Sequence, residues 1–241
     1  MLKGTNFILL LLSWVITCQA QFFVQTENDT TVITEYNDGR LWAYRNIGDA
    51  VVGLTSCEAK DDYGKYYQIN IFIHNHGDTS FLFDPATILS SLTTQSGDTI
   101  QLQVYTNEMF QKKVKRSQSW AMALYGLSTG LSAGTAGYST SYSTSYSPNG
   151  YAYTTITQHY NANAVYQANM TASYQIQTLG KMMENDRIVK EQGYLKMTTV
   201  HPGESIVGYM NIKRKKGCVL TVSIPVNGYV YFFDWNVRKK K

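Results

Sequence analysis

Charge is missing from the middle of this chain. Arg116 is the last charged residue before the gap and Lys181 the next after it, so the 64 positions from 117 to 180 carry no Lys, Arg, Asp or Glu. Cysteine is scarce as well: Cys18, Cys57 and Cys218 are the only three in 241 residues. No P-loop and no dinucleotide fingerprint occurs, which removes the usual sequence signatures of a nucleotide enzyme. Net charge is also small, 21 Lys and Arg against 17 Asp and Glu. A balance so near neutral gives no strong field for nucleic acid. The one long apolar run, "FILLLLSWVIT" at 7–17, is too short to span a bilayer comfortably.

That run reads as the core of an export signal. Lys3 supplies a positive start, and "CQA" at 18–20 offers small residues to a signal peptidase. Residues 1–20 are therefore expected to be a signal peptide cleaved after Ala20, with export to the periplasm, cell surface or extracellular space. A rival is lipid attachment at Cys18, because "VITC" loosely follows a lipobox, although Thr17 fits that pattern poorly. The remaining chain is long enough for one large or two small domains and can bury a core without staples. In an oxidising compartment Cys57 and Cys218 are read either as one disulfide or as two buried thiols. In the entropy model a bridge closing so long a loop restricts the unfolded chain by about 4–5 kcal/mol.

Strand grammar dominates both flanks. Tyr67, Ile69, Ile71 and Ile73 alternate with Gln68, Asn70, Phe72 and His74, a period of two with one strongly apolar face. "NHGD" at 75–78 breaks the strand, "SFLF" resumes it, and "DP" at 84–85 ends it, since proline cannot donate to a ladder. "TIQLQVYT" at 99–106 alternates again. After the gap, "HPGES" at 201–205 and "RKKG" at 214–217 separate "GYLKMTTV", "SIVGYMNIK" and "CVLTVSIPV". "NG" at 227–228 is a strong two-residue hairpin signal. Short strands with regular turns predict a β-sandwich, formed by 21–116 and 191–241 together.

"INIFIHNHGDTSFLFDP", followed by "HPGESIVGYMNI" and "LTVSIPVNG", resembles the immunoglobulin-like sandwiches of bacterial exported proteins. Those carry a strand–N-x-G–aromatic strand–D-P step and a later P-G-E-S-x-x-G step. The resemblance covers both β blocks and not the middle. It implies a fold and an export location more than an activity.

The uncharged middle, 117–190, is read as an αα-hairpin inserted between two strands of that sandwich. Gly126, Gly130 and Gly134 recur every fourth position, as do Ala164, Ala168 and Ala172. Each set shares a helix face. Three glycines at about 1 kcal/mol each predict a face that something presses against, and the simplest geometry is the two small faces meeting as in small-xxx-small pairs. A Gly-rich flexible loop and a membrane-inserted or oligomeric glycine zipper are the alternatives. The second segment's Asn161, Asn163, Gln167, Asn169, Gln175 and Gln177 would need partners in hydrocarbon, so lipid suits it only in an assembly. Between the helices, "TSYSTSYSPNGYAYTTIT" alternates on both sides of a turn. It predicts a β-hairpin tip, 138–158, with Tyr142 and Tyr146 on one strand and Tyr151 and Tyr153 on the next as a tyrosine contact surface, and its low-complexity composition also fits a disordered tip. Tyr, Ser and Asn are the chemistry of adaptable binding surfaces.

Chemistry is thin elsewhere. His74 and His76 share a strand face and could begin a metal site with Asp78 or Asp84, and a third ligand would be needed. Glu58, Asp61 and Asp62 gather in a loop without the alternate carboxylates of a calcium site. The basic runs at 112–116, 213–216 and 238–241 sit beside turns, boundaries or the terminus and are read as solvated. Gathered together they would form a patch for anionic surfaces. The expectation is an exported non-catalytic protein with no cofactor and no catalytic residue. Its partners would be protein, glycan or another copy of itself, not nucleic acid. A membrane enters only through a lipidated Cys18 or an assembly of hairpins. The runner-up is a metal-dependent hydrolase near His74 and His76.

Overall fold

In a computed structural model of the chain, residues 19–20, 22–24, 32–37, 39–146 and 152–238 are described. Residues 1–18, most of the expected signal segment, residues 147–150, where a turn is expected, and Tyr151 lie outside them. The strands in chain order are β1 Gln19–Ala20, β2 Phe22–Phe23, β3 Val32–Asn37, β4 Arg40–Ile47, β5 Ala50–Asp61, β6 Gly64–Asn75, β7 Phe81–Phe83, β8 Leu89–Thr93, β9 Thr99–Leu102 and β10 Val104–Tyr105. Helix α1, Asn107–Thr135, leads to β11 Tyr138–Tyr146 and β12 Ala152–Tyr160, and α2 is Ala162–Gln192. The chain finishes with β13 Thr198–Val200, β14 Ser205–Lys213, β15 Val219–Val226 and β16 Tyr229–Asn236. The protein is mainly β, with antiparallel sheets and a two-helix insertion between β10 and β13.

One sheet runs β10-β14-β6-β5-β4-β3, with β1 pairing β5 beyond the point where β4 ends; the other runs β2-β16-β15-β8-β9. Alternation explains the core. Ile69, Ile71 and Ile73 of β6 are fully buried, as are Val222 and Ile224 of β15 and Tyr231, Phe233 and Trp235 of β16. The sheets meet through these faces. The Tyr231 hydroxyl lies 2.6 Å from the Ile47 carbonyl and 3.0 Å from that of Ala50, and the Arg45 guanidinium stands 5.8 Å over the Phe233 ring. Asn227 and Gly228, at φ 47° and 81°, close the β15–β16 hairpin through the positive-φ turn that this pair favours.

Three expectations differ from the structure. No strand is read from the sequence at 50–56, yet β5 is the central strand there. Its residues 52–57 are all buried, so "VGLTSC" packs on both faces and shows no alternation to read. Residues 57–61, read as a loop, are the end of that same strand, and Glu58 pairs with Arg214 instead of solvent (Nε to Oε2, 2.9 Å). The first helix starts at Asn107, ten positions before the expected edge of the insertion. The Thr106 side chain accepts from the Met109 amide at 3.3 Å, Glu108 sits in the first turn, and Phe110 is buried against Tyr66 and Tyr194. A cap, a favourable dipole charge and tertiary burial outweigh the strand-like prelude.

The two turn motifs behind the resemblance meet at one residue. Buried Asn75 ends β6. Its side-chain amide donates to Thr79 (2.8 Å) and Val200 (3.1 Å), and its side-chain carbonyl accepts from Gly77. Its own backbone carbonyl takes the Gly203 amide at 2.8 Å. The last glycine of the "PGESIVG" step, Gly208, lies under residues 193–195. A Cβ there would sit 2.8 Å from Leu195 Cδ2 and 3.0 Å from the Gly193 carbonyl.

Candidate contact surface

By compactness the chain divides into a unit of Met1–Lys112 with Glu191–Lys241 and a second unit, Lys113–Lys190. Within the second unit the helices run antiparallel in a regular register. Gln118 Nε2 donates to the Met183 carbonyl at 2.7 Å, and the Tyr125 hydroxyl donates to Gln175 Oε1 at 3.2 Å. A Cβ on Gly180 would lie 3.8 Å from Met122. Toward the hairpin, a small-residue groove of about 350 Å³ runs past Thr129, Ser132, Ala168 and Ala172. Asn161 caps α2, its side-chain oxygen accepting from the Asn163 and Ala164 amides.

The seam on α1 is thus Gln118, Met122, Tyr125 and Thr129. Ala164, Ala168 and Ala172 are each half-buried, and the last two line the groove. The glycines behave differently from the expectation. A Cβ at Gly126, Gly130 or Gly134 would meet nothing within 4 Å, so α2 does not press on that face. The reason is angular. At 100° per residue the glycine row is rotated away from the row that Tyr125 and Gln118 anchor.

Further round α1 lies a row the sequence reading missed. Trp120, Leu124, Leu127 and Leu131 are 64%, 63%, 66% and 73% exposed. Their i, i+4, i+7, i+11 spacing is the helical signal that could have found them. They point away from the Met122–Thr129 seam. On α2, Tyr166, Met170 and Tyr174 are likewise exposed.

The hairpin pairs from Tyr138↔Tyr160 to Tyr146↔Ala152. Tyr142 is exposed and opposes Ile156, also exposed. Tyr138 and Tyr160 hold their rings 5.1 Å apart. The expected tyrosine set is therefore only partly assembled. Tyr153 opposes Ser145, out of step with Tyr142. By register Tyr138, Ile156 and Tyr160 share the face of Tyr142, because directly opposed residues and every second position along a strand lie on one side of the pair. Among the described residues β11 and β12 form a two-stranded sheet with no further strand on either edge.

Electrostatically the insertion has two parts. Lys113, Lys115 and Arg116 share one end of the helix pair with residues 181–190, by the register above. There the Arg187 guanidinium holds the exposed Glu184 carboxyl below the usual range, aided by Lys115, and Lys190 pairs with Asp186. Beyond that end the surface is neutral. Among the described residues no helix is long and apolar enough to cross a membrane.

The other sequence candidates are placed as follows. Cys57 and Cys218 are each buried as thiols. His74 Nδ1 lies 2.9 Å from Ser205 Oγ and 3.2 Å from the Glu204 carbonyl. His76 Nε2 lies 3.0 Å from Asn46 Oδ1. Asp84 caps the short 3₁₀ turn at Pro85–Thr87 by accepting from the Ala86 amide. Among the described residues no three His, Cys, Asp or Glu side chains gather as a metal site. No family model, no curated protein and no solved structure matches this chain.

Proposed function

We propose that this is an exported, non-catalytic interaction protein whose inserted helix pair and Tyr/Ser-rich hairpin are its contact surface. One observation carries the reading: a neutral segment of 64 residues holds its largest apolar side chains outward. Trp120, Leu124, Leu127 and Leu131 are left in solvent by the chain's own fold, beside a glycine row open to close approach. Exposed apolar patches of this kind mark interaction sites. The unpaired edges of β11 and β12 carry no charge to blunt them, and such edges accept another strand. The export signal at 1–20 and the resemblance to exported immunoglobulin-like sandwiches favour a role at or outside the cell surface. The partner classes are protein, glycan or a second copy of this chain.

Replacing 138–160 with a Gly/Ser linker tests the reading. Sedimentation velocity, glycan arrays and cell binding of the intact and shortened chains are expected to show binding or self-association that is lost on replacement, with the thermal midpoint of the β unit unchanged. Equal binding by both chains would remove the hairpin from the contact surface.

A further inference from the structure

The β unit contains a second site, built from basic runs that are far apart in sequence. The β8–β9 turn, the loop between β14 and β15, and the residues after β16 line an open cavity of about 990 Å³, large enough for a drug-sized ligand. Three cations line it, Arg214, Lys216 and Arg238, and no acidic side chain does. Gln95 and Ser96 add polar groups to the lining.

The cations differ in kind. Arg214 is half-buried and fixed: Glu58 accepts from its Nη2 at 2.9 Å, and its guanidinium stands 6.0 Å over the Tyr67 ring. Its charge is thereby balanced. Lys216 and Arg238 are exposed, and among the described residues no carboxylate pairs with either. The nearest acidic group on the turn, Asp98, is engaged by the Ser96 hydroxyl at 2.6 Å. Two unbalanced like charges on one cavity repel each other, and a counter-anion relieves that repulsion.

The walls are also pre-set. A Cβ on Gly217 would sit 2.5 Å from Leu92 Cγ, so the loop carrying Lys216 is packed down on β8. The Cys218 amide donates to Thr93 (2.7 Å) and the Val237 amide to Cys218 (2.9 Å), while the Arg238 amide donates to Asn236 Oδ1 (3.0 Å). Charges held on backbone fixed before binding lose little freedom when a ligand arrives.

We infer that this cavity binds a small, polar, multiply charged anion, with Lys216 and Arg238 reading its charges and Arg214 as a fixed part of its wall. Carboxylate, sulfate and phosphate share this chemistry, and the test separates them. The full chain is titrated calorimetrically with trigalacturonate, a trisulfated disaccharide and tripolyphosphate in low salt. At least one is expected to saturate at one per chain, more weakly as salt rises. Lys216→Gln with Arg238→Gln is expected to weaken that probe tenfold or more. Lys112→Gln with Lys115→Gln removes the same charge elsewhere and is expected to leave affinity within twofold. Both pairs are on exposed side chains, so folding is retained, checked by an unchanged thermal midpoint. No saturable binding of any probe, or equal weakening by the two variants, would overturn the site.

Discussion

At the scale of single residues, Asn75 and Gly208 show how short turn motifs become tertiary joints. Asn75 is fully buried, and its amide serves two carbonyls that no other side chain reaches in the hydrogen bonds described. Asn75→Ala takes the side-chain donor from both carbonyls, while the Gly77 amide keeps the Asp49 carbonyl at 3.2 Å. At roughly 1–3 kcal/mol for a buried polar group left unsatisfied, the variant is expected to lose about 3 kcal/mol of stability in urea denaturation, with an unchanged slope. A loss under about 0.5 kcal/mol would show that water replaces the amide without cost. Nothing in "NHGD" announces this. Asparagine at a strand end reads as turn chemistry, and its partner Val200 stands 125 positions away.

At the scale of elements, the glycine row of α1 is the informative case. Its period of four was plain in the sequence, and the helix it implies is present. Which way the row faces was not. Gly126, Gly130 and Gly134 have room for a methyl group, so replacing all three by alanine removes a helix penalty of about 1 kcal/mol per site. Slower amide hydrogen exchange across 120–135 is the expected outcome for the free chain. Faster exchange or a lower midpoint would mean that the face is covered after all. If the glycine face docks a partner, the same variant binds it more weakly while being more stable alone, a split that separates folding from contact. The hairpin teaches a similar lesson. Alternation in "STSYSTSY" identifies strand β11, but only the pairing of the two strands sets the register that places Ile156 across from Tyr142 and Tyr153 three positions away.

At the scale of the whole molecule, buried tyrosines set the alkaline limit of the β unit. Burial pushes the Tyr67 and Tyr231 hydroxyls up to about 12, partly offset by Arg214 at Tyr67 and by the Ile47 hydrogen bond at Tyr231. Burial raises Tyr66 and Tyr194 further. In the unfolded chain these groups ionise near pH 10. Below that pH both states are protonated and the stabilisation is complete. Between pH 10 and 12 the unfolded state releases protons first, so stability falls as pH rises. The urea midpoint is expected to hold steady to about pH 9.5 and drop steeply above pH 10. A flat midpoint to pH 12 would contradict the burial of these hydroxyls. Tyr67→Phe is expected to lessen the drop, because one of the titrating groups is gone.

What the sequence by itself determined is local: the alternation of β6, the Asn227–Gly228 turn, the helical period of the uncharged insertion, and the break between a charged β frame and a neutral middle. Each follows from a periodicity or a backbone preference that acts over a few residues. The tertiary structure alone decided the rest. It made β5 central although buried on both faces, turned the glycine row away from α2, set Tyr142 against Ile156, and brought Arg214, Lys216 and Arg238 to one cavity. Those outcomes depend on which surfaces of separate elements meet, and side-chain packing settles that only when all the elements are present.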